Sequence, residues 1–131
     1  MDELDERIIE ILKEDSRTPF VDIAKRLNLS EGAIRVRVKK LTTERVIERF
    51  TIDVKNSTRA VVMISTSQAV PTTQVSHSIR NMGVDRVYEI SGNYEIICFV
   101  QAKSIEDLNS IIERIRATHG VTNTSTSMVL K

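Results

Sequence analysis

The residues best suited by type and spacing to bind a ligand are basic side chains grouped between positions 35 and 40. Arg35, Lys39 and Lys40 project from the sides of a predicted helix that lie away from its apolar stripe. Guanidinium and ammonium groups donate hydrogen bonds to guanine acceptors or to phosphates, and an α-helix fits the major groove of duplex DNA. On the same helix, Gly32 permits close approach and Val36 can touch a thymine methyl group. This pattern favours a surface that binds duplex DNA over a merely solvated helix face.

Three predicted helices position this surface. Apolar residues at helical spacing begin at Leu4 and predict a first helix that fades near Asp15. A second helix is predicted to begin with Pro19 at its first position, after Thr18 as N-cap, and to run to about Asn28. The third helix extends over about 30–43. Its core-facing stripe consists of Ile34, Val38 and Leu41. Two helices joined by a turn of three or four residues, the second of them basic, are typical of a helix-turn-helix.

An alternating segment follows the third helix. Phe50, Ile52 and Val54 are separated by polar residues, which predicts a half-buried strand of the kind found in a winged helix-turn-helix. The polar residues 56–58 predict a short linker, so we place the domain boundary near residue 57. The predicted domains are therefore 1–57 and 58–131.

Composition narrows the class of protein. The chain has 131 residues and a net charge of +1, but residues 1–15 carry seven acids and two bases, whereas residues 25–49 carry eight bases and three acids. A local basic block in a neutral protein indicates a directed contact with an anion. The acidic N-terminus is unlike a signal peptide, and no apolar run reaches the roughly 20 residues of a membrane span. We therefore expect a cytoplasmic protein without membrane contact.

Groups that could catalyse a reaction are few. His77 and His119 are possible acid–base groups, but His77 is expected on the outer side of a helix and His119 in the last turn of another, where its charge suits the helix dipole. Cys98 lies in a predicted apolar strand, where it behaves as a small apolar residue. Because it is the single cysteine, an internal disulfide is excluded. The sequence contains no P-loop, no GxGxxG fingerprint and no metal-ligand spacing. We predict neither an enzyme nor a metal site.

The second half repeats a strand–helix–strand pattern. The predicted order is β-α-β-β-α-β, and each predicted helix ends in a Gly-Val pair, at Gly83 and at Gly120. This is the ferredoxin-like arrangement, with both helices on one face of an antiparallel sheet, so the predicted fold class is α+β. The strands at 60–64 and 96–100 are nevertheless apolar at consecutive positions, as in strands covered on both faces. A homodimer packed sheet against sheet is the simplest cover, and burial against the N-terminal helices is the alternative.

Several short motifs occur in order along the chain. They are Leu4-Asp5, Ile8-Ile9, Ile23-Ala24, Leu29-Ser30, Arg37-Val38, Val46-Ile47, Tyr88-Glu89 and Ser91-Gly92-Asn93-Tyr94-Glu95. In this architecture, the ordered set resembles the Lrp/AsnC, or feast/famine, family of transcriptional regulators over essentially the whole chain. Within that family, the chain is most similar to archaeal regulators of the lysine-biosynthesis type.

The resemblance implies a DNA-binding role for the N-terminal domain. It implies that Arg35 and Lys39 meet bases or phosphates, that Arg37 meets the DNA backbone, and that Ser30 donates to a phosphate at the start of the helix. The full implied set is Ser30, Gly32, Arg35, Val36, Arg37, Lys39 and Lys40.

The resemblance also implies that the second domain is a RAM domain, which binds a small amino-acid effector between subunits of a homodimer that assembles into tetramers or octamers. Glu95 would hold the ammonium group of lysine, glutamine or arginine, and the turn at Gly92 would offer N–H groups to its carboxylate. The implied effector set is Gly92, Asn93, Tyr94, Glu95, Thr124, Ser125 and Thr126. A plain hairpin turn remains the alternative reading of 92–95.

Two residues depart from the family pattern. Glu95 stands where aspartate is usual, so its carboxylate reaches one methylene further. Arg45 replaces the glycine that commonly precedes Val46, and arginine is strained there if the backbone needs a positive φ. The alternatives to an effector-responsive regulator are an effector-independent regulator, a DNA-architectural protein of the same fold and an enzyme resembling sirohaem decarboxylases.

Overall fold

The computed structural model describes residues 1–55 and 58–131. The chain divides into two compact units, Met1–Asp53 and Val54–Lys131. The predicted linker lies outside the described residues except for Thr58, and the predicted boundary near residue 57 stays a prediction. Within the described ranges, no helix is long and apolar enough to cross a bilayer.

Three helices form the first unit. Helix α1 spans Glu3–Glu14, α2 spans Phe20–Leu27 and α3 spans Glu31–Thr43. Asn28 ends α2 in the left-handed region with φ of 55°, a conformation that asparagine tolerates better than most residues. Three residues thus separate α2 from α3, and the predicted helix-turn-helix is confirmed.

The core of the first unit lies where the three helices meet. Ile8 of α1, Ile23 of α2 and Ile34 of α3 are fully buried. Val38 and Leu41 are also buried, which confirms the predicted apolar stripe of α3. This packing fixes which side of α3 is left for solvent.

The strand predicted around 49–55 is wrong. No strand forms over 48–55, and Phe50 and Ile52 are exposed, Ile52 to 74%. An alternating pattern describes only the side chains, whereas a strand also needs a neighbouring strand to pair with its backbone N–H and C=O groups. The described part of the chain supplies no such neighbour at this segment.

The second unit is a four-stranded antiparallel sheet with two helices. Its elements are β1 (Thr58–Thr66), α4 (Thr72–Arg80), β2 (Arg86–Glu89), β3 (Ile96–Ala102), α5 (Ile105–Arg116) and β4 (Val121–Met128). The strand order is β2-β3-β1-β4. The predicted β-α-β-β-α-β order is confirmed.

The chain leaves α5 earlier than predicted. The helix ends at Arg116, and a turn closed by the Val121 N–H and the Thr118 carbonyl, 3.1 Å apart, leads into β4. His119 therefore lies beyond the helix and not in its last turn. The prediction that His119 lies in the last turn of the helix is wrong. It assumed that Gly120 ends the helix, whereas Gly120, with its positive φ, belongs to the turn before β4.

The sheet has one face covered by helices and a second, more open face. Alternate residues of β1, among them Val62 and Ile64, are buried with apolar residues of α4 and α5. The other alternate positions define the open face. It consists of Val61, Met63, Tyr88, Ile97 and Phe99. On this face the strand register places Tyr88 of β2, Ile97 of β3 and Met63 of β1 side by side. The rings of Tyr88 and Phe99 meet edge to face, with their centroids 6.3 Å apart.

Candidate DNA interface and ligand groove

Helix α3 presents one exposed arc. At 100° per residue its members fall within about 140° of the helix circumference. They are Gly32, Arg35, Val36, Lys39, Lys40 and Thr43. Val36 is 68% exposed, and nothing lies within 4 Å of the position that a Cβ on Gly32 would occupy. The predicted exposure of this side is confirmed, and its use in binding stays a prediction.

Ser30 caps the start of α3. Its Oγ accepts a hydrogen bond from the N–H of Ala33 at 3.1 Å. The hydroxyl hydrogen is not used in that bond, so it can still be donated to an anion. The helix dipole and the free N–H groups of the first turn favour negative charge at the same place.

Arg35 is engaged with two residues of its own unit. Its Nη2 donates to Oε1 of Glu31 at 2.7 Å, one turn earlier on α3. Its Cζ lies 5.4 Å from the centre of the Phe20 ring, at the start of α2. The side chain remains mostly exposed, so these contacts orient the guanidinium without burying it.

Arg37 points towards α1 instead of joining the exposed arc. Its Nη1 donates to both carboxylate oxygens of Asp2, at 2.9 and 2.8 Å, and to Oδ1 of Asp5 at 3.0 Å. Hydrogen bonding from the guanidinium lowers the pKa of Asp2 from 3.8 to about 2. The charge of Arg37 is thus matched by two carboxylates, and its implied contact with the DNA backbone gains no support from this geometry.

A left-handed arginine closes α3. Arg45 has φ of 58°, as the departure from glycine anticipated. Its N–H donates to the carbonyl of Thr42 at 3.1 Å, and the N–H of Val46 donates to the carbonyl of Leu41 at 2.9 Å. These two bonds form a Schellman motif, which needs a left-handed residue at this position. The motif places a cation just beyond the end of the helix.

In the second unit, residues 91–93 form a bend between β2 and β3. Glu95 then returns to the sheet, where its N–H donates to the carbonyl of Ile64 at 3.1 Å. One carboxylate oxygen of Glu95 accepts a hydrogen bond from the N–H of Thr66 at 3.3 Å. Glu95 therefore supports the irregular end of β1, where the pairing with β4 shifts register between Ser65 and Thr66.

A groove of about 430 Å³ lies between α5 and β4. It is lined by Ile112, Arg116, Val121, Thr122, Asn123, Thr124 and Thr126. The guanidinium of Arg116 also donates to Glu113 at 3.1 Å. Hydroxyl groups beside a guanidinium are suited to hold a carboxylate.

The implied effector residues fall in separate places within one chain. Thr124 and Thr126 line the groove, whereas Ser125, which pairs with Met63, lies on the opposite face of the sheet. None of 92–95 is among the lining residues. Arg116 was missed from the sequence because its position opposite β4 depends on how α5 crosses the sheet.

The two histidines and the cysteine are the remaining side chains singled out as possibly reactive. His77 and His119 are both exposed. Cys98 is fully buried, as predicted, and desolvation raises its pKa to about 11. No group of three or more His, Cys, Asp or Glu residues that could hold a metal ion occurs in 1–55 or 58–131.

The two units define a helix-turn-helix protein with a ferredoxin-like second domain. Residues 1–42 match the AsnC-type helix-turn-helix domain, and residues 59–131 match the Lrp/AsnC ligand binding domain. The chain belongs to the Lrp/AsnC family, and the resemblance found in its sequence is confirmed. It is a transcriptional regulator of the helix-turn-helix type.

Similar proteins support this assignment along the whole chain. The HTH-type transcriptional regulator LysM of Sulfurisphaera tokodaii is 42% identical, in an alignment that covers 100% of this chain and 96% of LysM. The crystal structure of PH0061 is 26% identical with a TM-score of 0.85, covering 100% of this chain and 93% of that one. The feast or famine regulatory protein Rv3291c of M. tuberculosis, complexed with L-methionine, shares the fold at 22% identity, with a TM-score of 0.80 and coverage of 99% and 92%.

Proposed function

We propose that this non-enzymatic regulator binds duplex DNA in the cytoplasm as a homodimer, and that a small amino acid bound by the second unit adjusts its affinity. The exposed arc of α3 is the observation that carries the proposal. The arc holds three cations opposite a buried apolar stripe. Glu31 pairs with Arg35, and no acid occurs between Ala33 and Thr43 beside Lys39 and Lys40. A helix with this distribution fits the major groove, where cations meet phosphates and base edges.

The salt dependence of DNA binding tests the use of α3. Each phosphate contact contributes about −0.9 to the slope of log K against log salt. Lys39→Ala should therefore flatten the slope by about 0.9 for each protomer on the DNA, which is about 1.8 for the dimer. Lys13→Ala removes the same charge from the exposed side of α1 and should leave the slope unchanged. Equal slopes for wild type and Lys39→Ala would place α3 outside the interface.

We propose that the open face of the sheet forms the dimer interface. Its apolar residues are only partly covered within the described part of the second unit, with Tyr88 45% exposed. A second sheet packed against this face would remove them from water, at a gain of about 25 cal/mol per Å² of apolar surface. Tetramers or octamers would then arise by association of these dimers.

A charge placed on the open face should separate the subunits. Ile97→Asp should yield monomers in sedimentation equilibrium, because an unpaired carboxylate is costly to bury. Asn109→Asp adds the same charge on an exposed position of α5 and should remain assembled. A dimer that survives Ile97→Asp would shift the interface elsewhere.

An amino acid is the effector class that the second unit supports best. The matched domain is a ligand binding domain, and a relative with the same fold was crystallised with L-methionine. The groove offers Arg116 and threonine hydroxyls for a carboxylate, and Glu95 offers a carboxylate for an ammonium group. Because these groups lie apart in one chain, we propose that two subunits complete the site.

Thermal-shift measurements with lysine, glutamine, arginine and methionine test the effector. Glu95→Gln keeps an oxygen that accepts from the N–H of Thr66 but removes the charge that an ammonium group needs. It should therefore keep the melting temperature of the free protein and lose the ligand-dependent shift. Glu95→Ala should lower the melting temperature of the free protein as well.

One observation favours an effector-independent regulator as the second candidate. The carboxylate of Glu95 is already used within the fold, as a partner of the Thr66 N–H. If no amino acid raises the melting temperature of the wild-type chain, the role of Glu95 is structural and this candidate stands.

A further inference from the structure

We infer that Arg35 reads a guanine base in the DNA site, and that Glu31 and Phe20 are the positioning residues that hold its guanidinium for this contact. The inference rests on the proposed function, because it requires α3 to lie in the major groove. It assigns separate tasks to the cations of α3.

The guanidinium of Arg35 is held from two directions before any DNA arrives. Glu31 accepts from its Nη2 at 2.7 Å, and the Phe20 ring lies 5.4 Å away, within the range of about 6 Å over which cation–π attraction acts. A free arginine side chain loses considerable rotamer freedom when a ligand fixes it. Two contacts formed in advance reduce this loss, which is the property expected of a residue that reads one fixed atom pair.

The charge of the Arg35–Glu31 pair favours a base over a phosphate. Glu31 compensates the charge of Arg35, and a carboxylate next to a phosphate adds repulsion. Base edges are neutral, so the carboxylate does not oppose a contact with them. The described contacts give no carboxylate partner to the side chains of Lys39, Lys40 or Arg45, which are placed to serve phosphates.

The position of Arg35 along α3 agrees with this division. In helix-turn-helix proteins the N-terminal residues of the second helix contact base edges. Arg35 is the fifth residue of α3, whereas Lys39 and Lys40 lie in its second half.

Guanine is the base that matches the donors of Arg35. Its major-groove edge presents two acceptors, O6 and N7, and an arginine commonly bonds both. Glu31 uses one of the five N–H groups of the guanidinium, so four remain. Adenine would oppose an arginine with its N6 amino group, which is itself a donor.

Selection from random DNA, followed by systematic base replacement, tests the assignment. The full-length protein is used to isolate tightly bound duplexes from a random pool, and each base pair of the selected site is then replaced in turn. Wild type should prefer guanine at one position of each half-site by about 5- to 140-fold. In Arg35→Ala, the four bases at that position should bind within about threefold of one another, and the preferences elsewhere should persist.

Variants of the two positioning residues should both reduce the guanine preference, but they should differ in their affinity for random duplex. Glu31→Ala removes both the acceptor that holds Nη2 of Arg35 and the repulsion from phosphates, so it should tighten binding to random duplex while reducing the guanine preference. Phe20→Leu leaves the charge unchanged and should reduce the preference at the same position alone. Glu10→Gln removes an equal charge from the exposed side of α1 and should keep the guanine preference of wild type.

Two results would overturn the inference. If Arg35→Ala weakens binding to all duplexes equally and flattens the salt slope by about 0.9 for each protomer on the DNA, Arg35 contacts a phosphate and the inference fails. A Glu31→Ala protein with the wild-type guanine preference would rule out the positioning role of Glu31. Failure of the wild type to select any sequence would instead contradict the proposed function, so the two failures are distinguishable.

Discussion

Replacing Arg45 with glycine should stabilise the first unit of this regulator. The φ of 58° at Arg45 brings its Cβ close to the following carbonyl oxygen, at a cost of about 1–2 kcal/mol for a residue with a side chain. Glycine avoids this contact but loses about 0.5–1 kcal/mol through the greater freedom of its unfolded chain. The expected net gain is therefore about 0.5–1 kcal/mol.

The hydrogen bonds around Arg45 explain why the strain persists. The N–H of Arg45 reaches the carbonyl of Thr42, and the N–H of Val46 reaches the carbonyl of Leu41. A relaxed φ at Arg45 would move the N–H groups of Val46 and Ile47 away from the carbonyl of Leu41, which would then lose both partners. The left-handed conformation of Arg45 therefore has the lower free energy of the two, and a glycine at this position should keep the hydrogen bonds without the backbone strain.

Urea unfolding of the full chain, followed by far-ultraviolet circular dichroism, measures the effect. Arg45→Ala is the matched control, because it removes the same charge but keeps the Cβ atom, and it should change stability by less than about 0.5 kcal/mol. Both variants should flatten the salt slope of DNA binding equally if Arg45 meets a phosphate. Equal stability of Arg45→Gly and Arg45→Ala would refute the strain argument.

Two further perturbations follow from local geometry. Gly120→Ala should destabilise the chain by about 2 kcal/mol or more in urea unfolding, because the new Cβ would lie 2.7 Å from Cγ2 of Val75. The control is Gly83→Ala, which also has a positive φ but has open space around the new Cβ, and it should cost only about 1 kcal/mol. The depressed pKa of Asp2 stabilises the fold above about pH 4, and this contribution should disappear as the pH falls through about 2. Carboxyl NMR titration should show that Arg37→Gln returns the pKa of Asp2 towards its ordinary value, and an unchanged pKa would contradict the assigned cause.

Local patterns predicted α3 and its surroundings well. The buried stripe depends only on the periodicity of one helix, so Ile34, Val38 and Leu41 could be identified without knowledge of any other element. The possibility of a positive φ at Arg45 came instead from the family resemblance, because glycine is common at that position in the family.

Contacts between distant segments could not be predicted in this way. Arg37 lies at the edge of the apolar stripe, and its partner Asp2 is 35 residues earlier, so only the packing of α1 against α3 brings them together. The segment around Ile52 has the side chains of a strand but no neighbouring strand in the described residues. The position of Arg116 in the groove likewise depends on the crossing of α5 over β4.

The distribution of partners on α3 connects DNA binding to dimer formation. Of the five cations from 35 to 45, Arg35 and Arg37 lie within 3.0 Å of carboxylates, which leaves three for phosphates in the described part of the chain. Three contacts imply a salt slope of about −2.7 for one protomer and about −5.4 for two. Between 50 and 200 mM salt, these slopes correspond to losses of about 40-fold and about 2,000-fold in affinity. A measured slope near −5 would therefore require both protomers on the DNA, and the dimer proposed to form through the open face of the sheet would then be the species that binds.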